Sequence, residues 1–362
     1  MTGVALSWMP HAVEQARLER AAPRIPGLLE AVSAAREREQ GLNVDSGDLQ
    51  SACVEEGHSL WSWVKREASS DDRILYWTRL AVTKSLSDRL INERASREIT
   101  LECLDRFEAS SRGRSQLSWK ADHFRLLISG FDPFLLDENI EQSNPSGLTA
   151  FRLHDQVLQA QNGDVIHVQA VIFPVIFQDF DDGVVEALLE PLLRDDSIDA
   201  FVSISMGRDA FDLERFPGRR RSASAVDNAN RPSGGSENQP SVPLLRREAL
   251  EGPEFLEFSL PAERMRKAPG RWAIRDNRTI TSLERGTFRL DQPSQLLGQT
   301  AVRGSGGGYL SNEIAYRALN VMSRSDSKIP MGHIHTPRMS TFDPVFLDDV
   351  YDQIKEMLIR LP

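Results

Sequence analysis

The sequence predicts an α/β fold: a doubly wound, mostly parallel sheet flanked by helices, preceded by an all-α N-terminal extension. Three observations carry this. Beyond Trp119, short apolar runs bounded by turn residues recur at Phe124 to Ile128, Val165 to Phe173 and Ala200 to Ile204. Helical patterns such as Val184 to Leu193 lie between them, and strands alternating with helices build parallel sheets covered on both faces. Ahead of these runs, residues 1–120 look helical throughout. The chain is therefore expected to divide into a helical extension, 1–120, and an α/β domain, 121–362.

Taken in order, the N-terminal part shows Ile74, Trp77, Leu80 and Ala81, then Leu86, Leu90 and Ile91, at helical spacing. Asp71 and Asp72 stand just ahead, where carboxylates satisfy the free N–H groups of a helix start and meet its dipole. Five of the six tryptophans (Trp8, Trp61, Trp63, Trp77, Trp119) fall here, so the segment has rings to bury. No catalytic constellation stands out in it. It reads as a helical extension packed on the second domain or on another subunit, which leaves a homo-oligomer open.

Composition removes several function classes. The 362 residues carry 43 basic and 53 acidic side chains, a net charge of -10, which repels phosphate backbones and argues against nucleic acid as a partner. Cys53 and Cys103 make no disulfide framework, and no clustered histidines join them as a zinc site needs. Neither a metal nor a cofactor is called for. Met1 to Gln15 lacks a basic stretch followed by an apolar run, so it does not read as a signal peptide. No window approaches the roughly 18 apolar residues of a membrane span. A cytoplasmic, soluble protein with no membrane partner is the expectation.

In doubly wound sheets, sites form where loops leave the carboxyl ends of strands. Gly130 to Pro145, Met206 to Glu214 and Gly304 to Ser311 are the candidate loops, and Gly332 to Pro337 reads as a short late strand. Phe216 to Pro240 is polar and rich in Arg, Ser, Pro, Gly and Asn. It reads as a mobile insertion whose Arg219-Arg220-Arg221 run is solvated.

The sharpest signal is Gly304-Ser305-Gly306-Gly307-Gly308-Tyr309-Leu310-Ser311, ahead of a helical pattern through Ile314, Ala315, Ala318, Leu319 and Met322. Glycines admit positive φ and close approach to main-chain N–H groups. A helix start adds free donors and partial positive charge, suited to an anion or a developing oxyanion. Ser311 would be a nucleophile beside that hole, although serine is equally a favoured N-cap. Nucleotide binding is disfavoured, because the glycine spacing matches neither the dinucleotide fingerprint nor the P-loop. His333 and His335 are two apart in a strand and share a face, and one of them could act as a general base.

Several stretches together carry a resemblance. Gly130-Phe131-Asp132-Pro133-Phe134, then Asn144-Pro145-Ser146, resembles the opening signature of the pyroglutamyl peptidase I (pyrrolidone-carboxylate peptidase) family. Gly207-Arg208 with Glu214-Arg215, and Glu237-Asn238-Gln239-Pro240, resemble its next two elements, and ungapped counting back places Arg231 at a family arginine. The glycine run to Ser311-Asn312 and Tyr316 is similar to the segment bearing the family's nucleophilic cysteine. Gly332-His333-Ile334-His335-Thr336-Pro337 is similar to the one bearing its histidine.

The resemblance, over about 122–340, implies a pyroglutamyl-peptidase-like hydrolase. It would remove an N-terminal cyclic or blocked residue from a peptide, or cleave a related small amide. Ser311 would be the nucleophile in place of the family's Cys, His335 the base and Glu214 its orienting carboxylate. Phe131, Phe134, Asn144, Arg208 and Arg231 would bind substrate, and His333 would line the pocket. Ile204 and Val175 fall at two polar pocket positions of the family, which places pyroglutamate itself in doubt. A hydroxyl must lose its proton as it attacks, so the swap demands more of the base than a thiolate does. The alternative is an inactive member of the family serving as a binding or assembly module.

Overall fold

Five helices precede the first strand in the computed structural model, which describes residues 12–41 and 49–361. Trp8 and the first eleven residues, most of the stretch read for a leader, lie outside the described residues, as do 42–48 and 362. The helices are α1 (Ala12–Ala21), α2 (Leu28–Gln40), α3 (Leu49–Glu67), α4 (Asp72–Asn92) and α5 (Arg97–Ser111). The Asp71 carboxylate accepts the Arg73 N–H and the Ser96 hydroxyl oxygen accepts that of Ile99, so both of the last two helices begin on capping side chains. On α4, Ile74, Trp77, Leu80, Ala81, Leu86 and Leu90 are buried as their spacing predicts, whereas Ile91 is 58% exposed. Asp72, Arg73, Arg79 and Ser87 of the same helix are buried too. This helix is enclosed on its polar side as well, and that side faces the loops described below.

The rest of the chain runs β1 (Phe124–Phe131), α6 (Pro145–Leu153), β2 (Val157–Gln159), β3 (Val165–Phe173), α7 (Phe177–Asp181), α8 (Val184–Arg194), β4 (Ala200–Met206) and β5 (Phe211–Glu214). It continues through β6 (Leu244–Leu245), β7 (Glu248–Ala249), α9 (Ala262–Met265), β8 (Ile274–Asn277), β9 (Thr279–Ser282), β10 (Gly286–Arg289) and β11 (Ala301–Arg303). It closes with α10 (Leu310–Ser323), β12 (Met331–Thr336) and α11 (Pro344–Leu358).

The main sheet has the order β2-β3-β1-β4-β12-β5-β8. Its centre, β3-β1-β4-β12, is parallel throughout, and β1, β3 and β4 are largely apolar because both faces are covered, whereas β12 carries His333 and His335. Antiparallel pairing enters at β2 and between β12 and β5. The chain leaves β1 for β3 on one side and returns to β4 on the other. That reversal opens a crevice at the carboxyl ends of β1 and β4, where Phe131 and Met206 end their strands.

Two expectations are corrected. Met206 to Glu214 is not simply a loop, because its second half is β5, with His335 opposite Asp212 and Ile334 opposite Leu213. The segment 216–240 is not a solvated charge run. Arg219 and Arg220 pair with Glu254, and Arg221 is buried, forked onto Glu313 at 2.6 and 2.8 Å and paired with Asp181. Bidentate guanidinium–carboxylate pairs fix such a loop. Their acidic partners lie far away in sequence, so local composition could not show them.

Candidate active site

Glu214 closes β5 and His335 lies near the end of β12, the neighbouring strand. His335 Nδ1 meets Glu214 Oε1 at 2.6 Å. The carboxylate is buried and also accepts from Asn277 Nδ2 at 2.8 Å, and the same amide donates to the Ser305 carbonyl at 3.0 Å. Burial pushes the Glu214 carboxyl above its ordinary value, while the His335 charge and hydrogen bond pull it down. A buried carboxylate on Nδ1 sets the ring's orientation and leaves Nε2 as the nitrogen turned away from Glu214. Gly207, just after β4, makes this packing possible: a Cβ there would lie 2.6 Å from His335 Cβ.

The glycine-rich run is a tight turn, with the Gly307 N–H donating to the Gly304 carbonyl at 3.0 Å and Gly307 at φ +93°, a conformation that favours glycine. Asn312 ties the following helix to the 216–221 segment, accepting from the Gly218 N–H at 2.9 Å and donating to its carbonyl at 2.7 Å. Ser311 is the second residue of α10, whose N-cap is Tyr309, so it does not cap the helix. Its hydroxyl donates to the Gly306 carbonyl at 3.2 Å. Ser311 and His335 nevertheless border one open cavity of about 560 Å³, together with Gly304–Gly307, Arg208, Arg303 and Arg338.

On its other side Ser311 borders a small pocket of about 40 Å³ lined by Phe131, Phe134, Asn144, Val175, Ser205 and Tyr309 among others. Phe131 lies parallel to Phe180, their ring centroids 6.3 Å apart. Asn144 caps α6: its Nδ2 donates to the Asp132 carbonyl at 2.9 Å and its Oδ1 accepts from the Ser146 N–H and hydroxyl. Val175 does line this pocket. Ile204 does not: it packs in the core opposite Ile334, and strand alternation turns its neighbour Ser205 to the pocket instead.

His333 is also corrected. It is fully buried, bonded to Ser203 and Ser205 at 2.7 Å each, and does not line the pocket. Arg208 is exposed at the rim of the larger cavity, whereas Arg231, whose N–H donates to Asp227, lines neither cavity.

The N-terminal helices hold these loops, which the sequence did not reveal. Arg79 and Arg112 share Glu108 at 2.6 and 2.7 Å and reach Asp132, between the two pocket phenylalanines, at 3.2 and 2.7 Å. Asp72 accepts the Ser143 hydroxyl and the Asn144 N–H. Arg17 grips the Asn228 carbonyl at 2.5 Å and Asp137. Asn277 and Ser205 had no motif to mark them, and the glycine-rich run that holds Tyr309 and the helix start that holds Asp72 gave no sign of their partners here, which are distant in sequence.

Fold and site together define an α/β protein with a buried carboxylate–imidazole pair and a serine-bearing glycine-rich turn at one cavity. The chain matches the sequence profile described as "PA0049, C-terminal domain" over residues 125–299 and 286–340, and it belongs to that family. It is 27% identical over 384 aligned residues to the uncharacterized protein PA0049 of Pseudomonas aeruginosa, covering 80% of this chain and 69% of that one. Among solved structures, it is similar to pyroglutamyl peptidase I from Bacillus amyloliquefaciens, at 18% identity and a TM-score of 0.43 over 66% of this chain and 95% of the other. It is likewise similar to a mutant pyrrolidone carboxyl peptidase from Pyrococcus furiosus, at 20% identity and a TM-score of 0.43 over 65% and 98%. Among the described residues, no helix is long and apolar enough to cross a membrane, and no group of three potential metal ligands is found.

Proposed function

We propose that this protein is a hydrolase that cleaves an amide at a blocked or cyclic N-terminal residue, with Ser311 as nucleophile, His335 as base and Glu214 orienting it. The observation that carries this reading is the 2.6 Å Glu214–His335 pair opening on the cavity that Ser311 also borders. Substrate entering the cavity displaces the Ser311 hydroxyl from the Gly306 carbonyl and turns it to His335 Nε2. Such contacts are commonly loose before substrate binds. As Oγ attacks the amide carbon its proton passes to Nε2, and Glu214 stabilises the imidazolium that forms. Free N–H groups at the start of α10 face the developing oxyanion. His335 then returns the proton to the leaving amine, and water hydrolyses the acyl-enzyme.

The test is a panel of N-blocked aminoacyl amides, including pyroglutamyl amides, with wild type, Ser311→Ala and Ser311→Cys. Ser311→Ala should lower turnover at least about 10³-fold, and turnover unchanged by it refutes the assignment. One observation favours the alternative, an inactive binding module: the Ser311 hydroxyl donates to its own loop. That reading expects no turnover of any member of the panel by wild type or by Ser311→Cys.

A further inference from the structure

Beside the proposed catalytic residues, β4 and β12 carry a second histidine with its own partners. His333 Nδ1 lies 2.7 Å from Ser203 Oγ and Nε2 2.7 Å from Ser205 Oγ, and all three side chains are buried. The ring stands edge-on to His335, their centroids 4.9 Å apart. Burial pushes the His333 imidazole far below its ordinary value, with His335 adding to the effect, so the ring is neutral.

A neutral imidazole has one donor and one acceptor nitrogen. Ser203 Oγ has a second neighbour, the Gly332 carbonyl at 3.3 Å, which can only accept. One arrangement gives every proton an acceptor inside the protein. The Ser203 hydroxyl donates to Gly332, His333 Nδ1–H donates to Ser203 Oγ, and the Ser205 hydroxyl donates to His333 Nε2. Ser205 Oγ is then left with lone pairs alone facing the small pocket. Among the other polar side chains there, Asn144 Oδ1 already accepts from the Ser146 N–H and hydroxyl while its Nδ2 donates to the Asp132 carbonyl, and the Tyr309 hydroxyl is turned to the Val226 carbonyl, to which it donates at 2.8 Å. Ser311 is the proposed nucleophile.

We infer that Ser205 Oγ, oriented by His333, is the specificity-determining acceptor of the small pocket, and that the pocket takes a small uncharged group presenting one N–H or O–H donor to it. The claim deepens the hydrolase reading by naming what the pocket selects. Its walls are apolar, Phe131, Phe134 and Val175, and no charged side chain lines it, so a charged group would enter without a counter-ion and at high cost. A ligand that has shape but no donor leaves its own polar atom against lone pairs.

Two measurements test this without turnover. In 15N-labelled wild-type protein, two-bond 1H–15N correlation of the imidazoles reads the tautomer. His333 should carry its proton on Nδ1, and a proton on Nε2 overturns the inference. In ligand-observed NMR titrations, 2-pyrrolidone should bind roughly tenfold more tightly than γ-butyrolactone, its near-isostere without the N–H, and Ser205→Ala should erase that preference. Equal binding of the two by wild type, or a preference that survives in Ser205→Ala, overturns it. Loss of the hydrolase reading through Ser311→Ala leaves these ratios untouched, so the two failures are distinguishable.

Discussion

Replacing Glu108 by Gln should loosen the clamp between α5 and the Phe131–Phe134 loop, and the structure fixes the size of the effect. Burial alone would raise the Glu108 carboxyl, but Arg112 and Arg79 overcome it and hold the group down at about 2, from an ordinary 4.5. Arg112 is pushed upward by Asp132 and Glu108 against its own desolvation, so both partners point the same way. A depression of that size corresponds to about 3 kcal/mol of stability. A carboxyl depressed on folding contributes fully above its unfolded value and loses the contribution as pH falls toward the folded value. The Glu108→Gln protein should therefore be less stable than wild type by about 3 kcal/mol at pH 7, in line with removing one member of a buried charge cluster. The gap should narrow to about half by pH 3. Urea unfolding followed by tryptophan fluorescence at pH 7, 4 and 3 measures it. A gap under about 1 kcal/mol at pH 7, or one that does not change with pH, would refute the reasoning.

Asp72 supplies a prediction of opposite sign: burial and Asp71 push its carboxyl up to about 7, so its contribution is present at low pH and is lost as pH rises from about 4 to 7. Glu14 and Glu56 are raised to about 7 as well, chiefly by burial, so the thermal midpoint should fall between pH 5 and pH 8, and less steeply in Asp72→Asn. At the site, Gly207→Ala places a methyl 2.6 Å from His335 Cβ and 3.0 Å from the Thr336 carbonyl. It should cost about 1–3 kcal/mol of stability and displace the imidazole from Glu214. Turnover of any amide substrate should fall roughly a hundredfold, and normal activity with normal stability would contradict the packing described.

Much of the fold was legible because its signals are local. Val165 to Phe173 is a strand with those bounds, Val184 to Leu193 is helical, and Asp71 caps its helix. Among the strands that escaped notice, β5, β8 and β10 are four residues each and mix charged with apolar side chains. They exist because a neighbouring edge pairs with them, which no periodicity records. Of the site residues, Glu214, Ser311 and His335 meet one cavity or one another, and Phe131, Phe134 and Asn144 line the small pocket. Arg231 and Ile204, placed like Val175 by ungapped counting, line neither cavity while Val175 does, because such counting carries no information about which way a side chain turns.

What this chain's residues decide alone is which segments can be strand or helix, where the glycines permit a turn, and which side chains are chemically able to attack, accept a proton or bear charge. Which of them meet was decided by the folded arrangement. Strand pairing set Glu214 beside His335, alternation along β4 turned Ser205 rather than Ile204 to the pocket, and α4 and α5 supplied the charges that hold the Asp132 loop. Contacts between residues a hundred or more positions apart depend on the register of the whole sheet, and that register settles only when all the apolar faces are buried at once.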